Sequence, residues 1–164
     1  MIFVTVGTWH SGFDRLIQKL DELSGEGRLE EQIIAQVGNG NYKPRHFKAI
    51  EFCSPQEFDD YISQSSVVVT HAGVGSMMSA ILKNKPVIVV PRKVSLNEVD
   101  DEHQFNTAKQ FEQEGMILVA YEVSQLEGCF EKVKNFTPTA NVSGLEKIQN
   151  EVEIFLHGVE EGLK

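Results

Sequence analysis

The 164 residues carry 24 acidic and 15 basic side chains, a formal net charge of −9, and 41% apolar residues. That length and apolar share suit one globular domain with a real core. The acidic balance argues against a nucleic-acid partner and against a direct grip on anionic lipid, and two cysteines without metal spacing, Cys53 and Cys129, argue for a reducing compartment.

Met1-Ile-Phe-Val-Thr-Val enters a strand pattern directly, without the basic start or long apolar core of a leader. No apolar run approaches the roughly 18 residues of a spanning helix, so membrane association is expected only through a partner. Ile2 to Val6 reads as the first strand, Trp9 to Gly12 as a loop with His10 exposed on it. Phe13, Leu16, Ile17, Leu20 and Leu23 follow helical spacing. Gly7 and Thr8 stand where the strand end meets the helix start, a usual ligand edge in open α/β sheets; Thr8 serves equally well as a helix cap.

After a polar turn at 24–30, Gln32 to Val37 reads as a second strand, ending in Gly38-Asn-Gly-Asn41. Gln36 stands where a dinucleotide enzyme would place an acidic residue for the ribose, which disfavours nicotinamide binding. Tyr42 to Lys48 reads as a solvated loop and Ala49 to Phe52 as a short strand. Ser54-Pro-Gln-Glu57 is a helix start, with Ser as cap, Pro at the first position and Glu three after Ser. Phe58, Tyr61 and Ile62 form that helix's buried face.

The central stretch is Val67 to Asn106. Val67, Val68 and Val69 form a β-branched run, followed by Thr70, His71, Ala72 and the pair Gly73 and Gly75. A helix is expected to begin at Ser76, because Met77, Met78, Ile81 and Leu82 repeat at helical spacing; Asn84 stops it and Pro86 cannot continue it. Val87 to Val90 is the next strand. The unit is βαβ, whose strands should be parallel. A glycine turn feeding a helix start offers N–H groups and a positive dipole end to an anion. Gly73-Val-Gly75-Ser-Met-Met78 lacks the third glycine of the dinucleotide fingerprint and the lysine of a P-loop, so a tight structural turn is the equal alternative.

Arg92 to Glu102 is a polar loop, and its acidic run Asp100-Asp101-Glu102 suits a solvated helix start better than a metal site. His103, Gln104 and Asn106 open a helix carrying Phe105, Ala108 and Phe111, which Gly115 ends. Met116 to Ala120 is the last strand, and Val123, Leu126, Phe130 and Val133 suggest another helix. Residues 135–143, with Pro138, read as a linker after a nucleotide-sugar-binding domain at 1–134. Residues 144–164 read as one helix whose seam of Leu145, Ile148, Val152, Phe155 and Val159 can pack on its own domain or dock a partner.

His71-Ala-Gly-Val-Gly-Ser76, Pro86 to Arg92, Glu98 and His103-Gln104, in that order, resemble the donor-binding half of GT-B glycosyltransferases of the MurG-like group. Val4-Thr-Val-Gly-Thr8, Phe13-Asp-Arg-Leu16 and Gln36-Val-Gly38 resemble the soluble subunits of its bipartite members. Those are the bacterial PssE-like proteins and the eukaryotic subunit that helps add the second N-acetylglucosamine to dolichol diphosphate. Glu98-Val-Asp-Asp-Glu-His103-Gln104 is closer to the PssE-like branch.

The resemblance implies a Rossmann-like α/β fold of about six parallel strands with helices on both faces. It implies a UDP-sugar-binding subunit of an inverting, metal-independent transferase in polysaccharide biosynthesis, with no cofactor. That subunit would work in the cytoplasm, at the inner face of the membrane, with a membrane-associated acceptor-binding subunit and a lipid-linked saccharide as acceptor. Donor-binding residues carried over are Gly7, Thr8, Phe52, Cys53, His71, Gly73, Val74, Gly75, Ser76, Arg92, His103 and Gln104, with backbone groups of Phe52 and Cys53 on the uracil. Glu98 and His103 are the catalytic candidates, although in the MurG-like group the base is assigned to the acceptor half. Many members carry Glu where this chain has Ser79, so a carboxylate for the ribose hydroxyls is missing. Two rival classes stay open: a non-catalytic module that activates or stabilises a partner transferase, and a nucleotide-dependent enzyme unrelated to sugar transfer.

Overall fold

Strands that are covered on both faces lose the alternation of apolar and polar residues, and the central strands here are apolar almost throughout. The computed structural model describes residues 1–138. The strands are β1 (Ile2–Thr5), β2 (Ile33–Gln36), β3 (Lys48–Ile50), β4 (Val67–Thr70), β5 (Val87–Val89) and β6 (Leu118–Val119). They form one parallel sheet in the order β3-β2-β1-β4-β5-β6. The helices are α1 (Asp14–Gly25), α2 (Pro55–Gln64), α3 (Val74–Ile81), α4 (His103–Gln113) and α5 (Leu126–Val133). The expected sheet is therefore present. The chain winds outward from β1 to β3, then returns to place β4 on β1's other side, so the strand order reverses between β1 and β4.

Each face of the sheet has its own core. One packs Val4, Ala35 and Val69 against Leu16, Ile17, Leu20 and Leu23 of α1 and Leu126, Phe130 and Val133 of α5. The other packs Phe3, Val68 and Val89 against Ile62 of α2, Met77, Ala80 and Ile81 of α3 and Ala108 and Phe111 of α4. Phe3 also stacks on Tyr61 at 5.6 Å or less from both α2 aromatics, 5.3 Å to Tyr61 and 5.6 Å edge-on to Phe58. Each fully buried Leu, Ile or Phe contributes roughly 1.5–3 kcal/mol, so these two layers are the main hold on the sheet.

Local signals explain most ends. Ser54 caps α2 by accepting from Glu57 N–H, while the Glu57 carboxylate accepts from Ser54 N–H at 2.8 Å, a complete capping box. Asn84, at φ +55°, closes α3, with the Lys85 N–H reaching back to the Ala80 carbonyl. Gly115, at φ +69°, follows α4.

Four expectations shift. The helix after the glycine turn begins at Val74, not Ser76, with Gly73 as its cap. Phe52 lies beyond β3, which runs from Lys48 to Ile50, and Val123 sits in a 3₁₀ turn before α5 rather than in the helix. The segment from Tyr42 to Lys48 is not simply a solvated loop. Asp21, 2% exposed on α1, accepts from the Tyr42 hydroxyl, the Arg45 N–H and the His46 N–H at 2.8–2.9 Å and pins it. Burial alone would raise the Asp21 carboxyl; the hydrogen bonds from His46, Tyr42 and Arg45 outweigh it and hold it below the usual range. The expected helix at 144–164, and the linker from residue 139 onward, lie outside the described residues.

Candidate functional site

The reversal of strand order leaves a crevice at the carboxyl ends of β1 and β4, where open α/β sheets bind ligands. A cleft of about 430 Å³ lies there, lined by Thr5, Gly7, Thr8, Gln36, Phe52, Cys53, Pro55, Phe58, His71, Gly73, Gly75, Ser76 and Ser79. Its floor has a register cause. Gln36, Thr5 and Thr70 end β2, β1 and β4 as aligned neighbours, so their side chains share one face of the sheet. All three are buried, and all are polar where the preceding residues on that face are apolar.

His71 follows Thr70 and is 9% exposed. Its ring explains two glycines. A Cβ on Gly7, which sits at φ +74°, would lie 2.6 Å from His71 Cε1, and a Cβ on Gly73 would lie 2.2 Å from His71 Nε2. The imidazole therefore fills the space that the strand ends leave open. Its Nδ1 is 3.3 Å from the Thr70 hydroxyl. Burial, and then the Arg92 charge, push its pKa down to about 4, against a hydrogen bond with the Thr5 backbone. At neutral pH His71 is an uncharged hydrogen-bonding group and a poor proton acceptor.

Gly75 is different: a Cβ there would meet nothing within 4 Å. The first bond along α3 runs from the Met77 N–H to the Gly73 carbonyl, which leaves the N–H groups of Val74, Gly75 and Ser76 ahead of it. These donors and the positive dipole end of α3 flank the cleft, an arrangement suited to a phosphate or diphosphate. Ser79 lines the cleft too, and its hydroxyl donates to the Gly75 carbonyl at 2.8 Å.

Of the residues singled out in the sequence, Gly7, Thr8, Phe52, Cys53, His71, Gly73, Gly75 and Ser76 line the cleft; Val74, Arg92, Glu98, His103 and Gln104 do not. Arg92 is 2% exposed. Its guanidinium lies 4.7 Å from the Phe13 ring centre and donates to the carbonyls of Val6, Ser11 and Gly12 at 2.9–3.0 Å, tying the loop after β1 to the end of β5. Glu98, expected as a candidate base, is instead a buried anchor. Its two oxygens accept from Arg15 at 2.7 and 3.0 Å and from the Lys93 N–H at 2.9 Å, so the carboxylate is not presented to the cleft. His103 stands exposed at the first turn of α4, its Nε2 3.6 Å from the Asp101 carboxylate, and the Gln104 side chain accepts from the Arg92 N–H at 3.2 Å. Thr5, Pro55 and Phe58 join the site unannounced, and Gln36, read in the sequence as disfavouring nicotinamide and as part of the family resemblance, lines it too. The available signal was polar residues at the ends of two strands that are otherwise apolar.

Comparison with known proteins agrees with this geometry. The profile of the glycosyltransferase family 28 C-terminal domain matches residues 1–153. The UDP-N-acetylglucosamine transferase subunit ALG13 of Mus musculus is 32% identical over 125 residues, 71% of this chain and 10% of that protein. The UDP-N-acetylglucosamine--N-acetylmuramyl-(pentapeptide) pyrophosphoryl-undecaprenol N-acetylglucosamine transferase of Clostridium botulinum is 24% identical over 148 residues, 85% of this chain and 38% of that one. This chain thus spans about a tenth of the mouse relative and well under half of the clostridial one. In fold it matches a solution structure of ALG13 with a TM-score of 0.60 at 19% identity, over 85% of this chain and 89% of the other. On this evidence the chain belongs to the glycosyltransferase family 28 C-terminal domain family.

Proposed function

We propose that this chain binds the UDP-sugar donor for an inverting glycosyltransferase completed by a second, membrane-associated subunit that holds a lipid-linked saccharide. The observation that carries the reading is the cleft at the β1–β4 switch point with the α3 N-terminus on its wall. As the bond between sugar and diphosphate breaks, negative charge grows on the diphosphate. Fixed N–H donors of Val74, Gly75 and Ser76 stabilise that charge more than they stabilise the bound donor, which lowers the barrier. His71, neutral and buried, offers hydrogen bonding without adding charge; His103 and Gln104, outside the cleft lining at the start of α4, are assigned to the sugar side on the family resemblance.

The acceptor hydroxyl must lose a proton to a base. The residues lining the cleft include no carboxylate, and Glu98 is held by Arg15. We therefore assign the base to the partner subunit. The reading extends to a cytoplasmic location at the membrane face and to bacterial polysaccharide synthesis, on the PssE-like pattern from Glu98 to Gln104. Among the described residues no helix is long and apolar enough to cross a membrane, which accords with attachment through a partner.

Calorimetry with UDP in the presence of a chelator tests the donor site. Binding with the metal removed is the expected result; binding that needs manganese would reject the proposed chemistry. The missing carboxylate also gives footing to the second reading, a non-catalytic module. A reconstituted pair that transfers sugar equally well with His103→Ala and with Gly75→Asp would favour it.

A further inference from the structure

The loop after β1 carries an aromatic ring that the donor cleft does not use. Trp9, the chain's one tryptophan, is 44% exposed on it. Thr8 lines the cleft and Trp9 does not, so the indole stands just outside the mouth. The strand order reverses at β1, which sets this loop over the middle of the ligand edge. A single exposed aromatic is ordinary on a protein surface. The loop beneath this one, however, is tied down on both sides. On one side Arg92, from the end of β5, donates to the carbonyls of Val6, Ser11 and Gly12 at 2.9–3.0 Å. On the other, Asn39 Nδ2 donates to the Trp9 carbonyl at 3.2 Å, and the Asp14 carboxylate accepts from the Asn41 N–H at 3.0 Å. Gly12 and Gly40 let the two loops meet backbone to backbone: a Cβ on Gly12 would lie 2.7 Å from Gly40 Cα. The His10 ring packs beside the indole, 4.7 Å away and tilted by 36°. The backbone that carries the indole is thus fixed, while the ring stays open before anything binds.

Its neighbours Thr8, His10 and Asn39 are exposed too, and they offer a hydroxyl, an imidazole and a carboxamide. One aromatic face with such groups beside it suits a sugar. The C–H face of the sugar ring lies on the negative face of the indole, and its hydroxyls reach the polar groups. A docking protein would instead need apolar neighbours around the indole. We propose that Trp9 is a stacking platform for the acceptor saccharide, so that this chain, and not the partner subunit alone, holds the second substrate. This assignment rests on the donor reading above. A donor seated in the cleft leaves Trp9 uncovered, because the indole lies outside the lining. What arrives over the mouth of a filled donor cleft is the acceptor. Seating one sugar unit on Trp9 brings an acceptor hydroxyl towards the donor, a proximity contribution that needs no charged group.

Because Trp9 is the only tryptophan, its emission reports on the platform directly. The full chain, in saturating UDP, is titrated with maltose, cellobiose, lactose and N,N′-diacetylchitobiose, with glycerol as control. At least one disaccharide should shift or quench the emission saturably, with a Kd of about 1–10 mM, and glycerol should not. The variants are followed by saturation-transfer NMR on the sugar C–H protons. Trp9→Phe should bind within about threefold of the parent, and Trp9→Leu at least about tenfold more weakly, since leucine is apolar but has no ring face. Calorimetry with UDP on each variant shows whether the fold and the donor cleft survive. No saturable change with any disaccharide, or parental binding by Trp9→Leu, overturns the inference and leaves the donor reading standing. Saccharide binding by a chain that does not bind UDP would overturn the donor reading, and the acceptor role of Trp9 with it.

Discussion

At the scale of single residues, His71 decides more than the glycines beside it. Read from the sequence, Gly73 and Gly75 form one feature, a turn that lets a ligand approach the backbone. The structure divides them: Gly7 and Gly73 make room for an imidazole, and only Gly75 faces open space. Spacing could not show this, because the neighbour that needs the room comes from the same strand end and from the far side of the switch point. The buried ring has a consequence for acid stability. Its pKa falls from 6.5 in the unfolded chain to about 4 when folded. The unfolded state therefore binds more protons between those values, and stability drops as pH falls from 6.5 towards 4. The loss should be about 2–3 kcal/mol, read as a shift in urea midpoint, with His71→Gln removing most of it. Asp21 acts in a separate window. Its carboxyl is lowered from 3.8, so its contribution is present above that value and is lost only as pH falls further. A parent whose midpoint is flat from 6.5 down to 4 would mean that His71 is solvated.

At the scale of elements, α2 was legible to the residue because its capping box lies in four consecutive positions. The start of α3 was not. Its cap, Gly73, makes no side-chain bond, so no local chemistry marked the first turn and the apolar repeat from Met77 pointed two residues too late. The loop held by Asp21 was illegible for another reason, since its partner lies more than one element away. The corrected start of α3 yields a prediction with two opposed readouts. Gly75 is in the first turn with nothing near its Cβ. Gly75→Ala should stabilise the fold by about 0.5–1 kcal/mol, from helix propensity. Gly75→Asp should also keep or raise stability, because a carboxylate in the first turn suits the helix dipole. It should nevertheless abolish UDP binding. A charge about 4 Å from a phosphate costs on the order of 4 kcal/mol at an effective dielectric of 20, which is a loss of several hundredfold. Thermal melts and calorimetry on the same samples separate the two effects. A stable Gly75→Asp chain with parental UDP affinity would make the turn purely structural.

At the scale of the whole molecule, the parallel sheet and the switch-point cleft were readable because apolar runs, glycine turns and helical spacing agree at every step. The roles of Arg92 and Glu98 were not. Both are polar residues in a polar loop, and only the folded contacts with Phe13 and Arg15 show that they secure the loop from inside. Among the described residues, α1 and α5 pack on one face of the sheet and α2, α3 and α4 on the other, while the edge strand β3 keeps Lys48 and Ala49 exposed. The apolar seam from Leu145 to Val159 lies outside the described residues, and its role is a matter for experiment. A chain ending at Pro138 should unfold cooperatively and bind UDP as the parent does, since its cleft-lining residues all precede Ser79 or include it. It should fail to co-purify with an acceptor-binding subunit if the seam is the docking surface. Ile148→Asp with Phe155→Asp in the full chain should fail in the same way while keeping UDP binding. Burying each such side chain is worth roughly 1.5–3 kcal/mol, so two lost anchors weaken docking by several orders of magnitude. If the shortened chain cannot fold, the seam serves its own domain. If it folds and still captures the partner, the contact lies within residues 1–138, where the loop from Arg92 to Glu102, with Leu96 exposed on it, is the next surface to vary.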